Sequence, residues 1–346
     1  MIFVGDFATN ERIEVTGLEQ FSKQHFILNL EGYVRGGSSN RRSDGIFTSS
    51  RACDYFSATG FTPIFALANN HISDTERSLT STLEYLDAGG FGYCGAGREA
   101  GEAGRPFRFS ENGIEFSLVN AGWEVIGCKA AKTRTAGVSV IEERKLVRSI
   151  RDESNSGRFV LVFLHWNYEL ELYPHPTHRS LAKALIDAGA NAVLGCHSHC
   201  INGYEMYRGR PIFYGLGNFY FREGFYWEGK LVYPEIAKNG LLVEYDSERS
   251  HWFVALTSKT DNGVEIAQKK SIADVSVLAE LSTFTEVSDD LYPSWFRANR
   301  RKKMFVPVFH ERDATLRYRL KVIYFFFRAQ MITLLVRIGI KKNGPR

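Results

Sequence analysis

Short apolar runs, each followed by a polar residue, recur along this chain. They span residues 2–4, 26–28, 64–67, 159–164, 192–194 and 212–216. Brief apolar runs bounded by Gly, Asn, Asp or His are typical of buried strands. The residues that follow these runs are mainly aspartate, glutamate, asparagine and histidine. We therefore predict a strand at each place, with a polar side chain at its carboxyl end.

Two segments between these runs have the spacing of helices. Residues 76–88 place leucines every three or four positions and stop at Gly89-Gly90. Residues 178–188 repeat the pattern before Gly189, and another apolar run follows at once. Alternation of strand and helix is the pattern of a sheet with helices packed on its faces. The predicted fold class is therefore α/β.

The pattern changes after residue 240. Residues 240–245 and 252–258 predict two strands of a meander that closes one sheet. Residues 274–310 carry no regular period and predict irregular structure, and a last helix is predicted over about 312–340. We divide the chain into a domain of residues 1–260 and a C-terminal extension of residues 261–346.

Charge supports this division. The chain has 346 residues and a net charge of +4, but residues 297–346 hold 14 Arg or Lys and two Asp or Glu. A basic tail can meet anionic lipid, nucleic acid or an acidic partner. The apolar core of the last helix, residues 322–336, is shorter than the ~20 residues of a transmembrane helix. We expect it to pack against the body or a protein partner, and peripheral contact with a membrane is the alternative.

The compartment is predicted from the cysteines and the first residues. The five cysteines are odd in number and scattered, which fits a reducing compartment. No basic segment precedes the first apolar run, as a signal peptide would require. We expect a cytoplasmic protein, with a peripheral position at the inner membrane left open.

The polar residues at the strand ends are those of a metal site. The candidate ligands are Asp6, Glu31, Asn70, His165, His197 and His199. Ligands bind outside the carboxyl ends of strands in an open α/β sheet. Mixed oxygen and nitrogen donors suit Mn, Fe or Zn. His71 follows Asn70 and could protonate a leaving oxygen or brace its loop.

These residues carry a resemblance to a known family. The chain resembles the bacterial CapA (poly-γ-glutamate capsule synthesis) family, which looks like a branch of the calcineurin-like metallophosphoesterases. The resemblance covers about residues 1–245 and rests on six short motifs in order. The matching segments are Gly5-Asp6, Asn29-Leu30-Glu31, Ala68-Asn69-Asn70-His71, His165-Trp166, His197-Ser198-His199 and residues 185–190 and 209–219.

The resemblance implies a four-layer fold, two central sheets flanked by helices, with two divalent metal ions between their strand ends. One ion would be held by Asp6, Glu31 and His199. The other would be held by Glu31, Asn70, His165 and His197. His71 would assist the leaving group in the hydrolysis of a phosphoester.

The chain departs from the family pattern at three positions. Ala8 stands where the wider pattern has histidine, so one ion is a ligand short and a single ion is the alternative. Asn167 follows His165-Trp166 where glycine is usual, and Glu31 stands where aspartate is usual.

Several other residues are candidates for substrate binding. We expect contacts from Trp166, Glu169, Arg210 and Asn218. Asn218 and Arg210 could instead fix the loop after the last strand, and Glu169 could lie in a solvated loop. Cys196 and Cys200 flank the paired histidines, and we interpret them as spectators.

The leading hypothesis is a metal-dependent hydrolase of phosphoester type in capsule or cell-envelope polymer metabolism, with an anionic polymer or phosphoester as substrate. The alternative is a non-catalytic accessory subunit of a polymer synthase or exporter, with a degraded metal site. No nucleic-acid-binding motif is present, which argues against a nucleic-acid phosphodiesterase.

Overall fold

A computed structural model describes residues 1–22, 24–36, 45–226, 229–301, 306–309 and 315–337. The helices in these ranges are α1 (Ser50–Ala58), α2 (Ser78–Ala88), α3 (Ala100–Ala103), α4 (Glu143–Asn155), α5 (Pro176–Asp187), α6 (Ser276–Leu281), α7 (Tyr292–Asn299) and α8 (Leu316–Arg337). The strands of the first half are β1 (Ile2–Ala8), β2 (Glu14–Thr16), β3 (His25–Leu30), β4 (Tyr33–Arg35), β5 (Phe47–Ser49), β6 (Thr62–Ala66), β7 (Gly92–Cys94), β8 (Ala96–Gly97), β9 (Phe107–Glu111), β10 (Ile114–Gly122) and β11 (Gly137–Val138). Those of the second half are β12 (Phe159–His165), β13 (Ala192–Cys196), β14 (Tyr204–Tyr207), β15 (Arg210–Phe213), β16 (Asn218–Phe221), β17 (Gly224–Tyr226), β18 (Gly229–Leu231), β19 (Asn239–Asp246), β20 (His251–Lys259), β21 (Gly263–Ile266) and β22 (Lys270–Ser271).

Two large mixed sheets form the centre of the described structure. The ten-stranded sheet has the order β2-β21-β20-β19-β1-β3-β6-β7, with β16 also paired to β1 and β22 to β20. The six-stranded sheet has the order β14-β15-β13-β12-β10-β9. In the first sheet β1, β3, β6 and β16 are linked by parallel pairings, and in the second β10, β12, β13 and β15 are. Their carboxyl ends therefore share one edge of each sheet.

The two sheets pack face to face, and helices cover both outer faces. Apolar side chains of both sheets meet in the gap, where the rings of Phe3 and Phe163 lie 5.9 Å apart. Helices α1 and α2 pack on the outer face of the ten-stranded sheet through residues such as Phe56 and Leu83. Helices α4, α5 and α7 cover the six-stranded sheet. The predicted α/β fold of four layers is confirmed.

The predicted positions of the strands and helices are largely confirmed. All six apolar runs lie within or overlap strands of the two sheets, and the predicted helices correspond to α2 and α5. The predicted meander is the antiparallel pair β19 and β20. The last helix, α8, lies inside the predicted range, and residues 312–314 and 338–340 of that prediction lie outside the described residues.

Two predictions about the C-terminal part need correction. The boundary at residue 260 falls between β20 and β21, which are paired, so the sheet continues into the predicted extension. Residues 274–310 are not simply irregular, because they contain α6 and α7. Phe296 of α7 is fully buried against the six-stranded sheet, which explains how so short a helix is stabilised. Across the ranges described, no helix has the length and apolarity needed to span a membrane.

Candidate metal centre

Side-chain alternation along β12 aims His165 into the gap between the sheets. Leu161 and Phe163 face the gap, whereas Val160, Val162 and Leu164 face the outer helices. Successive side chains of a strand point to opposite faces. His165 therefore continues the inner row, at the carboxyl end of the strand.

A bulge in β1 aims Asp6 into the same gap. The register of β1 with β3 pairs Val4 with Leu28 and Asp6 with Asn29, so Gly5 is the extra residue. A Cβ atom at Gly5 would lie 1.8 Å from the carbonyl oxygen of Gly217, so only glycine fits there. An extra residue inverts the alternation of a strand. Asp6 therefore faces the gap instead of the outer helices.

One amide holds both carboxylates of the site. Asn29 Nδ2 donates to Asp6 Oδ1 at 2.7 Å and to Glu31 Oε2 at 2.8 Å. All three side chains are fully buried. Burial, and after it the charge of Asp6, raises the pKa of Glu31 to about 7. The two acids are thus held together although their charges repel.

His165, at the end of β12, lies close to candidate ligands that follow strands of both sheets. Its Nε2 is 2.8 Å from Asn70 Oδ1 and 3.7 Å from Glu31 Oε2. Its ring centroid is 4.7 Å from that of His197. Burial lowers the pKa of His165 to about 3, so the imidazole is neutral at pH 7. A neutral imidazole is the form that binds a metal ion.

The loop after β13 holds His197 and His199 in an uncommon backbone conformation. Their φ angles are 89° and 58°, in the left-handed region that non-glycine residues rarely adopt. The backbone N–H of His197 donates to Asp6, and His199 Nδ1 lies 3.0 Å from Asp6 Oδ2. Burial alone would lower the pKa of His199, but the hydrogen bond and charge of Asp6 raise it to about 9. Strain of this kind clusters at functional sites.

His71 is paired with an acid that sequence reasoning missed. Its Nδ1 lies 2.9 Å from Asp74 Oδ2, and both side chains are partly buried. Burial would lower the pKa of His71, but Asp74, with Glu31 and Glu169 adding to it, raises that pKa to about 8. The imidazole is therefore largely protonated at pH 7, as a general acid must be. Asp74 follows His71 by three residues in a polar loop, which gave no signal of its own.

The six candidate ligands are brought together, and their chemistry fits a metal ion. Ligand atoms of Glu31, His165 and His197 lie within 4.8 Å of one another. Among the described residues Glu31 Oε1 is buried and has no hydrogen-bond partner, an arrangement that bound cations commonly satisfy. Asn70 Oδ1 and His165 Nε2 are separated by 2.8 Å. Ligands about 2.1 Å from one ion lie roughly 3 Å apart when adjacent.

Cys196 also lies beside this centre. Its sulfur, with Asp6 and His165, forms a second group of atoms within 4.8 Å. The thiol contacts His165 Nδ1 at 3.3 Å, and burial raises its pKa well above the ordinary value. A neutral thiol is a weak ligand, so Cys196 fits a role in orienting His165.

Of the four residues predicted to bind substrate, Glu169 and Asn218 are brought to the site. Glu169 is partly exposed, and its charge adds to the effects that raise the pKa of His71 and His199, so it lies near the site. Asn218 Oδ1 lies 2.9 Å from His199 Nδ1, and its Nδ2 donates to Ala237, so it orients a candidate ligand.

Trp166 and Arg210 are not brought to the site. Trp166 continues the outer row of β12, where its Nε1 donates to the Tyr214 carbonyl and its ring stacks on His178. Arg210 begins β15 and donates to the Ala190 carbonyl, so it lies at the far end of a strand whose carboxyl end is near the site. We therefore correct the prediction that these two side chains contact substrate. Trp166 packs in the core, and Arg210 braces a loop.

Two asparagines explain features that the sequence left open. Asn167 has a φ of 71°, a conformation that glycine and asparagine tolerate, which accounts for asparagine at this position. Asn69 Oδ1 accepts from the backbone N–H groups of Gly32 and His71, and its Nδ2 donates to the Leu30 carbonyl. It thereby ties the loop of Glu31 to the loop of His71.

Comparisons with known proteins give a family match and several sequence relatives. A family model described as bacterial capsule synthesis protein PGA_cap matches residues 19–223. The PGA biosynthesis protein CapA of Bacillus subtilis is 28% identical over 262 residues, which cover 69% of this chain and 68% of that protein. The capsule biosynthesis protein CapA of Bacillus anthracis is 29% identical over 193 residues, 53% of this chain and 46% of that protein.

Other matches are more partial. A probable polyglutamine synthesis accessory protein of Mycobacterium tuberculosis is 31% identical over 177 residues, 45% of this chain and 44% of that protein. The chain thus spans less than half the length of this relative and of the Bacillus anthracis protein. The solved structure of Haemophilus influenzae NAD nucleotidase gives a TM-score of 0.39 at 10% identity, covering 72% of this chain and 41% of that chain.

Proposed function

Since the chain belongs to the bacterial capsule synthesis protein PGA_cap family, we propose that it is a metal-dependent hydrolase of phosphoester type in capsule or cell-envelope polymer metabolism. The observation that supports this most is the buried donor set between the two sheets, in which Glu31 Oε1 has no hydrogen-bond partner within the described ranges and lies beside neutral His165. The printed names of the Bacillus relatives support the link to a capsule polymer.

The residues present would hold Mn, Fe or Zn. Asp6, Glu31 and His199 would bind one ion, and Glu31, Asn70, His165 and His197 the other. Such ions supply Lewis acidity toward a phosphoryl oxygen and lower the pKa of water.

The chain's own residues would position the metal-binding groups and protonate the leaving oxygen. Asn29 fixes Asp6 and Glu31, and Asn218 fixes His199, so these groups are positioned before substrate arrives. Asp74 occupies Nδ1 of His71, so a proton would be donated from Nε2 to the leaving oxygen. Asn70 and His71 are only partly buried, so substrate would enter on their side.

Metal content and turnover together test the proposal. The purified protein, expressed with added metal, should contain a transition metal, and His197→Ala should lower its occupancy. An alkyl phosphodiester should be hydrolysed, and His71→Ala should reduce turnover by roughly 10²-fold with metal retained. His251→Ala, an exposed histidine on β20, is the matched control and should change neither. Metal-free protein without turnover on aryl or alkyl esters would refute the hydrolase.

A specific observation favours a second candidate, a non-catalytic accessory subunit. Ala8 stands where the wider metallophosphoesterase pattern has histidine, and it packs in an apolar cluster with Phe221 and Tyr233. One ion would then be a ligand short. A stoichiometry of one ion or none, combined with no turnover on either ester, would support this candidate.

A further inference from the structure

The C-terminal helix α8 contacts the body through one narrow face. Phe325 stacks on Tyr168 with ring centroids 5.4 Å apart, and Tyr318 lies 5.0 Å from Phe309. Val322 packs against the same core. At about 100° per residue, these three positions of α8 fall within about 60° of the helix circumference.

The opposite face of α8 is a continuous apolar stripe exposed to solvent. We call it the outer stripe, and it consists of Leu316, Leu320, Ile323, Tyr324, Phe327, Met331 and Leu334. The exposed fractions of these side chains run from 43% to 76%. The stripe covers about 100° of the circumference and about 27 Å of length. One side of α8 therefore packs against the body, and the other side is open.

Basic residues border the outer stripe on both sides. Arg317 and Arg328 follow one border, and Arg319 and the position of Arg337 lie on the other, whereas the Lys321 ammonium donates to the Val308 carbonyl of the body. No acidic residue occurs between residues 316 and 337. Arg and Lys beside an apolar face place their charges at lipid headgroups while the apolar side chains enter the acyl boundary.

We propose that the outer stripe docks in the plane of a membrane surface made of anionic lipid. Charge selects this occupant, because the borders are uniformly positive and anionic headgroups are complementary to them. A second copy of the chain would bring two positive borders together with no acid on α8 to pair them. Since α8 packs on Tyr168, three residues after His165, the docked protein would hold its site near the lipid surface.

Vesicle flotation tests the proposal with the full chain at low and high salt. The protein should float with vesicles of phosphatidylcholine and phosphatidylglycerol, should float less at high salt, and should not float with phosphatidylcholine alone. The stripe variant Ile323→Gln/Phe327→Gln should weaken binding at least about tenfold. The border variant Arg317→Gln/Arg319→Gln, with one exposed residue on each border, should remove most of the salt-sensitive part.

Leu291→Gln is the matched control, because Leu291 is 61% exposed outside α8. It should float like the unmodified protein. All the substituted side chains of α8 lie away from its packed face, so circular dichroism and metal content should be unchanged. Equal flotation of the full chain and the stripe variant would overturn the proposal. The proposal would also be overturned by a second result. In it the unmodified chain does not float but forms a dimer in sedimentation, and the stripe variant abolishes that dimer.

Discussion

At the scale of single residues, Glu31 is in an environment that opposes its charge. Its pKa of about 7 in the folded protein lies above the ordinary value of 4.5. Below pH 4.5 both states are protonated and no penalty exists. As the pH rises from 4.5 to 7 only the unfolded state ionises fully, so stability falls and stays lower above pH 7.

We predict that Glu31→Gln stabilises the metal-free protein. At pH 8 the gain should be roughly 3 kcal/mol, because about 2.5 pKa units separate the two states, and at pH 4 it should vanish. Urea unfolding in chelator at both pH values measures it. Glu99→Gln, an exposed acid, should show no gain. Equal effects of Glu31→Gln at pH 4 and pH 8 would contradict this account.

A second residue-scale prediction concerns Asp74 and His71. Replacing Asp74 with Asn removes the largest of the effects that raise the pKa of His71 to about 8, so that pKa should fall although Glu31 and Glu169 still raise it. The pair stabilises the fold fully below pH 6.5, and this contribution is lost as the pH rises through about 8. An NMR titration of the metal-free protein measures the pKa. An unchanged pKa in the variant would show that Asp74 does not act on His71, and Asp261→Asn is the exposed control.

At this scale the candidate ligands could be predicted from the sequence, whereas Asp74 could not. The six candidate ligands follow apolar runs, so their common edge follows from strand direction alone. Alternation along β12 would also have placed Trp166 away from His165, since neighbours on a strand face opposite sides. Asp74 could not be found in this way, because it lies in a loop with no period.

At the scale of elements, the bulge in β1 decides where Asp6 points. We predict that Gly5→Ala destabilises the protein by about 3 kcal/mol, because the new methyl group would overlap the Gly217 carbonyl oxygen. Metal affinity should fall with it, as Asp6 shifts. Urea midpoints and chelator competition measure both. Gly36→Ala, whose Cβ would have no atom of the described residues within 4 Å, should behave as the unmodified protein. A fully stable Gly5→Ala protein with native metal affinity would exclude this role of the bulge.

Element boundaries after residue 260 were the least predictable part of the fold. Helices α6 and α7 have six and eight residues, too few to establish a helical period in the sequence. Strand β21 is four residues long and is defined by its partner β20. The two helices and strand β21 depend on tertiary packing, which the local sequence does not encode.

At the scale of the whole molecule, the two sheets share one core and the site lies between them. We predict a single unfolding transition whose midpoint rises with metal, by about 2.7 kcal/mol of stability at a free metal concentration of 100 times Kd. Urea unfolding at several metal concentrations measures it. His251→Ala should keep this response and His197→Ala should lose most of it. Two separate transitions, or a midpoint independent of metal, would contradict the shared core or the site.

The double hydrogen bond from Asn29 has a consequence for how the protein would acquire the proposed metal ion. Hydrogen bonds from one amide of the chain hold Asp6 and Glu31 together, so the proposed ion would not be needed to gather these two carboxylates. Loading would then follow folding, and one ion would replace another between the same two carboxylates. Capture by such a pair would follow the Irving–Williams order and the local supply of ions. The ion carried in the cell would accordingly report the metal status of the medium in which the organism grew.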